Sequence, residues 1–167
     1  MIKTDRLTLR RARPGDATGL FAIFSDPEAM AYWDTLPHAS LEVTERFVRQ
    51  MAKSDGVTSD DFVLVLDGKV IGKAGFWRKP EIGYILHRDH WGKGLAKEAL
   101  SALLARAFDT HGWDHVVAEI DPRNTRSRRL LLGLGFAQTG FAEKTLKLGD
   151  QWVDSAYFRL DRPSTTG

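Results

Sequence analysis

Apolar residues follow two different periods along this chain, and the points where the period changes mark out its elements. Residues 6–12 pattern as a strand, after which Pro14-Gly15-Asp16 breaks the run and opens a helix carrying Leu20, Ile23 and Phe24. Residues 27–37 obey neither period and contain Tyr32 and Trp33. A helical spacing returns over residues 41–52, where Leu41, Phe47, Val48 and Met51 are the apolar positions and Ser40 is the cap. Phe62 to Leu66 and then Val70-Ile71 are two β-rich runs. They are joined by Asp67-Gly68, the two-residue turn a hairpin prefers. Lys79-Pro80 ends the second run near Trp77, and residues 81–87 extend the pattern into a meander.

Residues 93–110 place Leu95, Ala96, Ala99, Leu100, Leu103, Leu104, Ala107 and Phe108 on one broad helical face, which Gly112 stops. A strand is expected at 115–120, a short helix at 124–134 ended by Gly135, and two strands around Gly149-Asp150. The order β, α, α, β, β, β, α, β, α, β, β predicts an α/β fold with a mixed sheet. Its strand, helix and strand at 81–120 form a right-handed crossover. No repeat, linker or low-complexity stretch interrupts it, so one domain over residues 1–162 with a flexible tail at 163–167 is expected.

Composition narrows the class without naming it. The 167 residues carry 24 Lys+Arg against 22 Asp+Glu, a net charge of +2, with 43% hydrophobic and 28% charged positions, which excludes disordered and collagenous chains. A chain of ~150 residues buries roughly two thirds of its unfolded surface, enough for a sizeable core. There is no cysteine. Disulfides, thiolate metal sites and an enzyme-borne thioester are therefore excluded together. The first six residues are too polar for a signal peptide, and the longest nearly apolar stretch, 130–137, is far short of a membrane span. A soluble, cytoplasmic protein with no membrane partner is the expectation.

The chemistry begins at Glu81-Ile-Gly-Tyr-Ile-Leu-His87 followed by Arg88-Asp-His-Trp-Gly-Lys-Gly-Leu-Ala-Lys-Glu-Ala-Leu100. Gly92 and Gly94 fall between a predicted strand and a predicted helix. Glycines there let a ligand approach the backbone and turn successive N–H groups toward one point, while the helix start favours an anion. Neither the eight-residue Walker pattern nor a third glycine of the dinucleotide fingerprint is present, and the pair alone would equally make a tight turn. A second segment, Asp121-Pro-Arg-Asn-Thr-Arg-Ser-Arg-Arg-Leu-Leu-Leu-Gly-Leu-Gly-Phe136, follows the next strand and opens another helix with Asn124 as its cap.

Together the two segments resemble the CoA-binding core of the GNAT superfamily of N-acetyltransferases. Trp-Gly-Lys-Gly-Leu-Ala with Asn-x-x-Ser and Leu-Gly-Phe is similar to the RimJ/RimL branch, the ribosomal-protein N-terminal acetyltransferases. The likeness runs from Asp5-Arg6-Leu7-Thr8-Leu9-Arg10 to Trp152-x-Asp154 and Tyr157. One departure is Asp89, where the superfamily often has Gln or Arg; an acid beside a pyrophosphate is repulsive, so Asp89 is expected to point away or cap the helix. The resemblance implies a GNAT fold, a mostly antiparallel sheet splayed between its fourth and fifth strands with helices on both faces. It also implies acetyl-CoA as cosubstrate. Backbone amides from Trp91 or Gly92 through Lys93, Gly94, Leu95 and Ala96 would hold the pyrophosphate, Ile85, Leu86 and His87 would pair with the pantetheine arm, and Asn124, Ser127 and Arg129 would complete the cofactor site.

An amine attacking a thioester must lose a proton, needs its oxyanion stabilised, and leaves a thiolate that benefits from a proton donor. Glu81 is the candidate base, through water, with Asp154 in reserve. Ser127 is the candidate donor by resemblance, with Tyr84 and Tyr157 as alternatives, since a phenol near pKa ~10 suits a departing thiolate. Tyr32 and Trp33, with Glu81 and Asp154, would line the acceptor pocket. Residues 26–61 hold eight acids (26, 28, 34, 42, 45, 55, 60 and 61) against three bases (46, 49 and 53), a net of −5 on the expected acceptor wall. Arg123, Arg126, Arg128 and Arg129 would gather charge where an adenosine 3′-phosphate lies.

An α-amine, with a pKa of ~7.7–8.0, keeps a useful neutral fraction that lysine near ~10.4 lacks, which points to a peptide N-terminus or a small amine. The expected partner is thus an amine acceptor such as a ribosomal-protein N-terminus. Alternatives are a small-molecule acceptor (an antibiotic, polyamine or amino acid) and a non-catalytic acyl-CoA sensor. His38, His87, His90, His111 and His115 invite a metal reading, but Gly112 interrupts the His111-x3-His115 spacing and no metal is expected. The arginines come without a recognition helix or aromatic interleaving, so no direct nucleic-acid contact is expected. A monomer or homodimer is compatible with all of this.

Overall fold

The computed structural model describes residues 1–164; part of the expected 163–167 tail lies outside the described residues. Twelve helices and strands follow one another: β1 (Ile2–Lys3), β2 (Leu7–Arg10), α1 (Ala17–Phe24), α2 (Leu41–Met51), β3 (Asp60–Leu66), β4 (Lys69–Arg78), β5 (Glu81–Leu86), α3 (Leu95–Ala105), β6 (His115–Ile120), α4 (Thr125–Gly133), β7 (Ala137–Leu148) and β8 (Gln151–Asp161). The strands form one sheet in the order β1-β2-β3-β4-β5-β6-β8-β7. Every neighbouring pair is antiparallel except β5 and β6, which are parallel.

Alternation along the strands assigns each face its cover. Phe62 and Leu64 of β3 and Ile82 and Leu86 of β5 pack into a cluster with Leu95, Leu100 and Leu103 of α3 and Leu131 of α4. Val63 and Ile85, of opposite parity, pack with Leu20, Ile23 and Phe24 of α1 and with Val48 and Met51 of α2. Burying both faces of the central strands explains why they read as β-rich runs rather than as polar–apolar alternation.

Three expectations shift. The short β1, too brief to show a period, pairs with β2, so the splay falls between the fifth and sixth strands. The long helix starts at Leu95, two residues late, and its last turn, Arg106–Thr110, widens to π geometry. The first predicted strand stops at Arg10, because Arg10 turns to pair with Asp16 at 2.8 Å and the chain enters a 3-10 turn at Pro14–Asp16.

Candidate active site

β4 pairs with β5 along its whole length, whereas β6 meets β5 only at Glu81 and Val117. Beyond that point the edges of Ile82–Leu86 and of the rest of β6 diverge, leaving backbone donors and acceptors unpaired along a slot. A parallel sheet opening at its C-terminal strand ends is a recurrent ligand site in α/β folds. The slot opens into a cleft of about 700 Å³.

The turn from β5 into α3 makes one wall. Gly92 and Gly94 have φ of +73° and +76°, values an L side chain resists, and a Cβ built on Gly92 would meet nothing within 4 Å. Glu98 N–H is the first in α3 to close onto a helical carbonyl, that of Gly94 at 3.1 Å. The amides of Leu95, Ala96 and Lys97 ahead of it therefore lack an intrahelical acceptor. Of the two starts expected, Gly92 is the open one: the Trp91 amide is already bonded to Arg88 O at 3.1 Å, and its indole donates to Leu86 O at 3.0 Å. Asp89 points away, its carboxylate exposed beside His87. Open amides at a helix start, reached through glycines without Cβ atoms, match the size and charge of a diphosphate.

α4 makes the facing wall. Asn124 Oδ1 accepts from Ser127 N–H at 3.1 Å, capping the helix and turning its first residues toward the slot. Ser127, buried, lies 2.7 Å from the Tyr84 hydroxyl, so two of the three expected proton donors are bonded to each other. Burial raises the Tyr84 phenol above its ordinary value, against the Ser127 bond and the nearby Arg126. The sequence offered one signal for this pair: Tyr84 shares the parity of Ile82 and Leu86, which face α3.

Of the predicted residues, Tyr32, Trp33, Ile85, Leu86, Trp91, Gly92, Gly94, Leu95, Ala96, Asn124, Ser127 and Arg129 line this cleft; His87, Lys93, Glu81 and Asp154 do not. The His87 ring instead accepts from Asp89 N–H at 3.2 Å, and Lys93 directs its carbonyl to Arg6. Glu81 sits where the two strands still touch, its carboxylate bonded to Trp77 Nε1 and Arg78. Asp154 accepts from Lys144 N–H at 2.9 Å on the β7–β8 hairpin.

The charge pattern also differs from expectation. Arg123, Arg126 and Arg129 line the cleft, Arg126 over the Trp91 ring at 4.2 Å and Arg123 paired with Asp121 beside Tyr32, but Arg128 turns to Gln138. The acidic wall is largely neutralised: Asp26 and Glu28 face Arg88, Asp60 is buried among Arg11, Arg106 and His111, and Asp61 holds Lys73 at 2.6 Å. His115 is paired with Asp114, whereas His111 is paired with Asp60. His90, weighed in the sequence only for a metal, reaches the cleft with its Nδ1 buried and unbonded; burial first, then Lys93 and His87, lower its pKa.

A parallel strand pair parted over a glycine-led helix start, with paired hydroxyls across the gap, makes a cleft suited to a ligand with a diphosphate at one end and a proton-accepting atom at the other. The acetyltransferase (GNAT) domain family matches residues 6–137, and the chain belongs to it. The uncharacterized N-acetyltransferase p20 of Bacillus licheniformis is 31% identical over 166 residues, covering 94% of this chain and 93% of its own. The [ribosomal protein uS5]-alanine N-acetyltransferase of Escherichia coli is 35% identical over 85 residues, 51% of this chain and 44% of that one. The crystal structure of a GNAT-family acetyltransferase from Bacillus anthracis aligns with a TM-score of 0.83 at 27% identity, over 96% of this chain and 97% of that chain.

Proposed function

We propose that the chain transfers an acetyl group from acetyl-CoA directly to a primary amine, with a protein N-terminal α-amine as the acceptor, in the manner of the RimJ/RimL branch. The observation that carries this reading is the Tyr84–Ser127 hydroxyl pair, 2.7 Å apart between an open-amide cradle and an aromatic-lined mouth.

When bound, acetyl-CoA supplies an acetyl group already activated as a thioester. The amides of Gly92 to Lys97 would hold its diphosphate, Arg126 and Arg129 would offer charge to its phosphorylated ribose, and the Ile82–Leu86 edge turned from β4, apart from the Leu86 carbonyl that Trp91 holds, would pair with its pantetheine amides. Ser127 Oγ, backed by the Tyr84 hydroxyl, holds the proton that the leaving sulfur needs. Tyr32 and Trp33 shape the acceptor mouth. Glu81 is the proposed base. Its carboxylate is engaged by Trp77 and Arg78 outside the cleft lining, so a proton reaches it through water, and the neutral fraction of an α-amine makes such a weak arrangement sufficient. Asp154 lies farther along the hairpin as the reserve.

A second reading, a small-molecule amine that also carries a carboxylate, is favoured by Arg123. Asp121 occupies Nε and NH2 of its guanidinium, while NH1 is directed to neither carboxylate oxygen, beside Tyr32. One assay separates the readings: CoA release in the presence of acetyl-CoA and a panel of N-terminal peptides, amino acids and polyamines. Release only with peptides supports the first reading, release only with carboxylate-bearing small amines supports the second, and CoA binding without any release leaves a sensor.

A further inference from the structure

Resting on the reading of the cleft as a CoA site, we propose that Arg6, on the segment before β2 and outside the cleft, is a positioning residue that sets the orientation of the diphosphate cradle. Its NH1 donates to Lys93 O at 2.8 Å and its Nε to Glu98 Oε2 at 2.7 Å. The backbone N–H of Arg6 and the Thr4 hydroxyl both close on Glu98 Oε1, at 2.7 and 2.6 Å. Glu98 lies in the first turn of α3. Four hydrogen bonds thus join the beginning of the chain to the glycine turn and helix start some ninety residues away.

The geometry makes this more than a scaffold contact. Lys93–Gly94 is a trans peptide, the one cis bond among the described residues being Lys79–Pro80, so the Lys93 carbonyl and the Gly94 N–H point in opposite directions within one plane. Arg6 draws the carbonyl outward, and neither Arg6 nor Lys93 lines the cleft, whereas Gly94 does. Holding that oxygen aims the Gly94 amide inward. Glycine has little preference between the two signs of φ, so nothing intrinsic to Gly94 keeps this plane from turning over. The residue that lets the backbone approach a diphosphate is the one that needs an outside anchor, and Arg6 supplies it. The same guanidinium faces the Glu98 carboxylate, offsetting a negative charge next to a site for an anion.

The test replaces Arg6 by Met, which retains an unbranched stem and loses every donor. Calorimetry with CoA should give about tenfold weaker binding for R6M. Turnover of S-acetylpantetheine, which lacks the diphosphate, should stay within about twofold of wild type, because its binding does not use the cradle. In the ligand-free protein, amide hydrogen exchange at Glu98, whose N–H closes on Gly94 O, should rise in R6M while α1 and β3 remain protected. Equal CoA affinity, or an equal fall for CoA and S-acetylpantetheine, overturns the proposal; the second pattern marks a general loss of fold. If R6M does not fold, R6K enters the same three arms, since one ammonium cannot hold Lys93 O and Glu98 in the guanidinium's geometry. A wild type that gives no heat with CoA sinks the CoA reading itself, whereas binding by wild type and R6M alike sinks only the role of Arg6.

Discussion

A serine hydroxyl alone gives up a proton poorly; bonded at 2.7 Å, Ser127 and Tyr84 form a chain along which one proton can shift. Burial raises the Tyr84 phenol above its ordinary value, so at neutral pH it stays protonated and can donate to Ser127. The two residues should then act as a unit. Ser127→Ala is expected to lower kcat by about 10–100-fold, with the KM for acetyl-CoA changed little. Tyr84→Phe should cost less, and the double variant should be no slower than the serine variant alone. Steady-state thiol release from the four proteins reads this directly. Additive losses would mean that the hydroxyls act independently, and an unchanged Ser127→Ala enzyme would remove the pair from the chemistry.

The slot depends on how closely β4 and β5 approach. A Cβ at Gly72 would lie 2.2 Å from Ile85 O and 2.9 Å from Leu86 Cδ2, so Gly72→Ala must push the end of β5 off its neighbour. The expected cost is about 1–3 kcal/mol of stability, seen as a lower urea midpoint, together with weaker CoA binding because the displaced edge is the slot wall. An alanine variant with both properties unchanged would show that this strand end is not fixed by the contact. Elements of this kind divide into those legible in the sequence and those that are not. The Asp67-Gly68 hairpin, the Gly92–Gly94 turn and the Asn124 cap could be read because their determinants are local: a positive φ at Gly68, Gly92 and Gly94, or an acceptor three residues from its donor. Glu81 could not be placed. Whether it faces the slot depends on the single register point where β5 meets β6, set by packing across the chain. The acidic wall misled for the same reason, since Asp60 and Asp61 are matched to Arg11, Arg106 and Lys73, which pattern reading within residues 26–61 does not include.

At the scale of the molecule, Asp60 is the point where distant segments are joined. It begins β3, is fully buried, and accepts from Arg11 after β2 at 2.6 Å and from Arg106 in the widened turn after α3 at 2.5 Å, with His111 Nε2 at 2.7 Å. The far end of the cradle helix is thereby fastened to the sheet. Burial alone would raise the Asp60 carboxyl, but the bonds from Arg106, His111 and Arg11 outweigh it and hold it below the ordinary carboxylate range. A carboxylate whose folded pKa is depressed binds protons more readily when unfolded. Its stabilisation is therefore complete above the unfolded value near ~3.9 and is lost as pH falls through the folded one. Asp60→Asn keeps the size of the side chain and removes the charge. It should cost about 3 kcal/mol at neutral pH, and the gap between wild type and variant should narrow below about pH 4, where the unfolded wild-type chain takes up a proton at this carboxyl before the folded one does. Urea unfolding of both proteins across that range measures the gap. If it stays constant into acid, the junction is held by packing of the arginine stems over Phe62, where both guanidiniums also lie, and not by the charge.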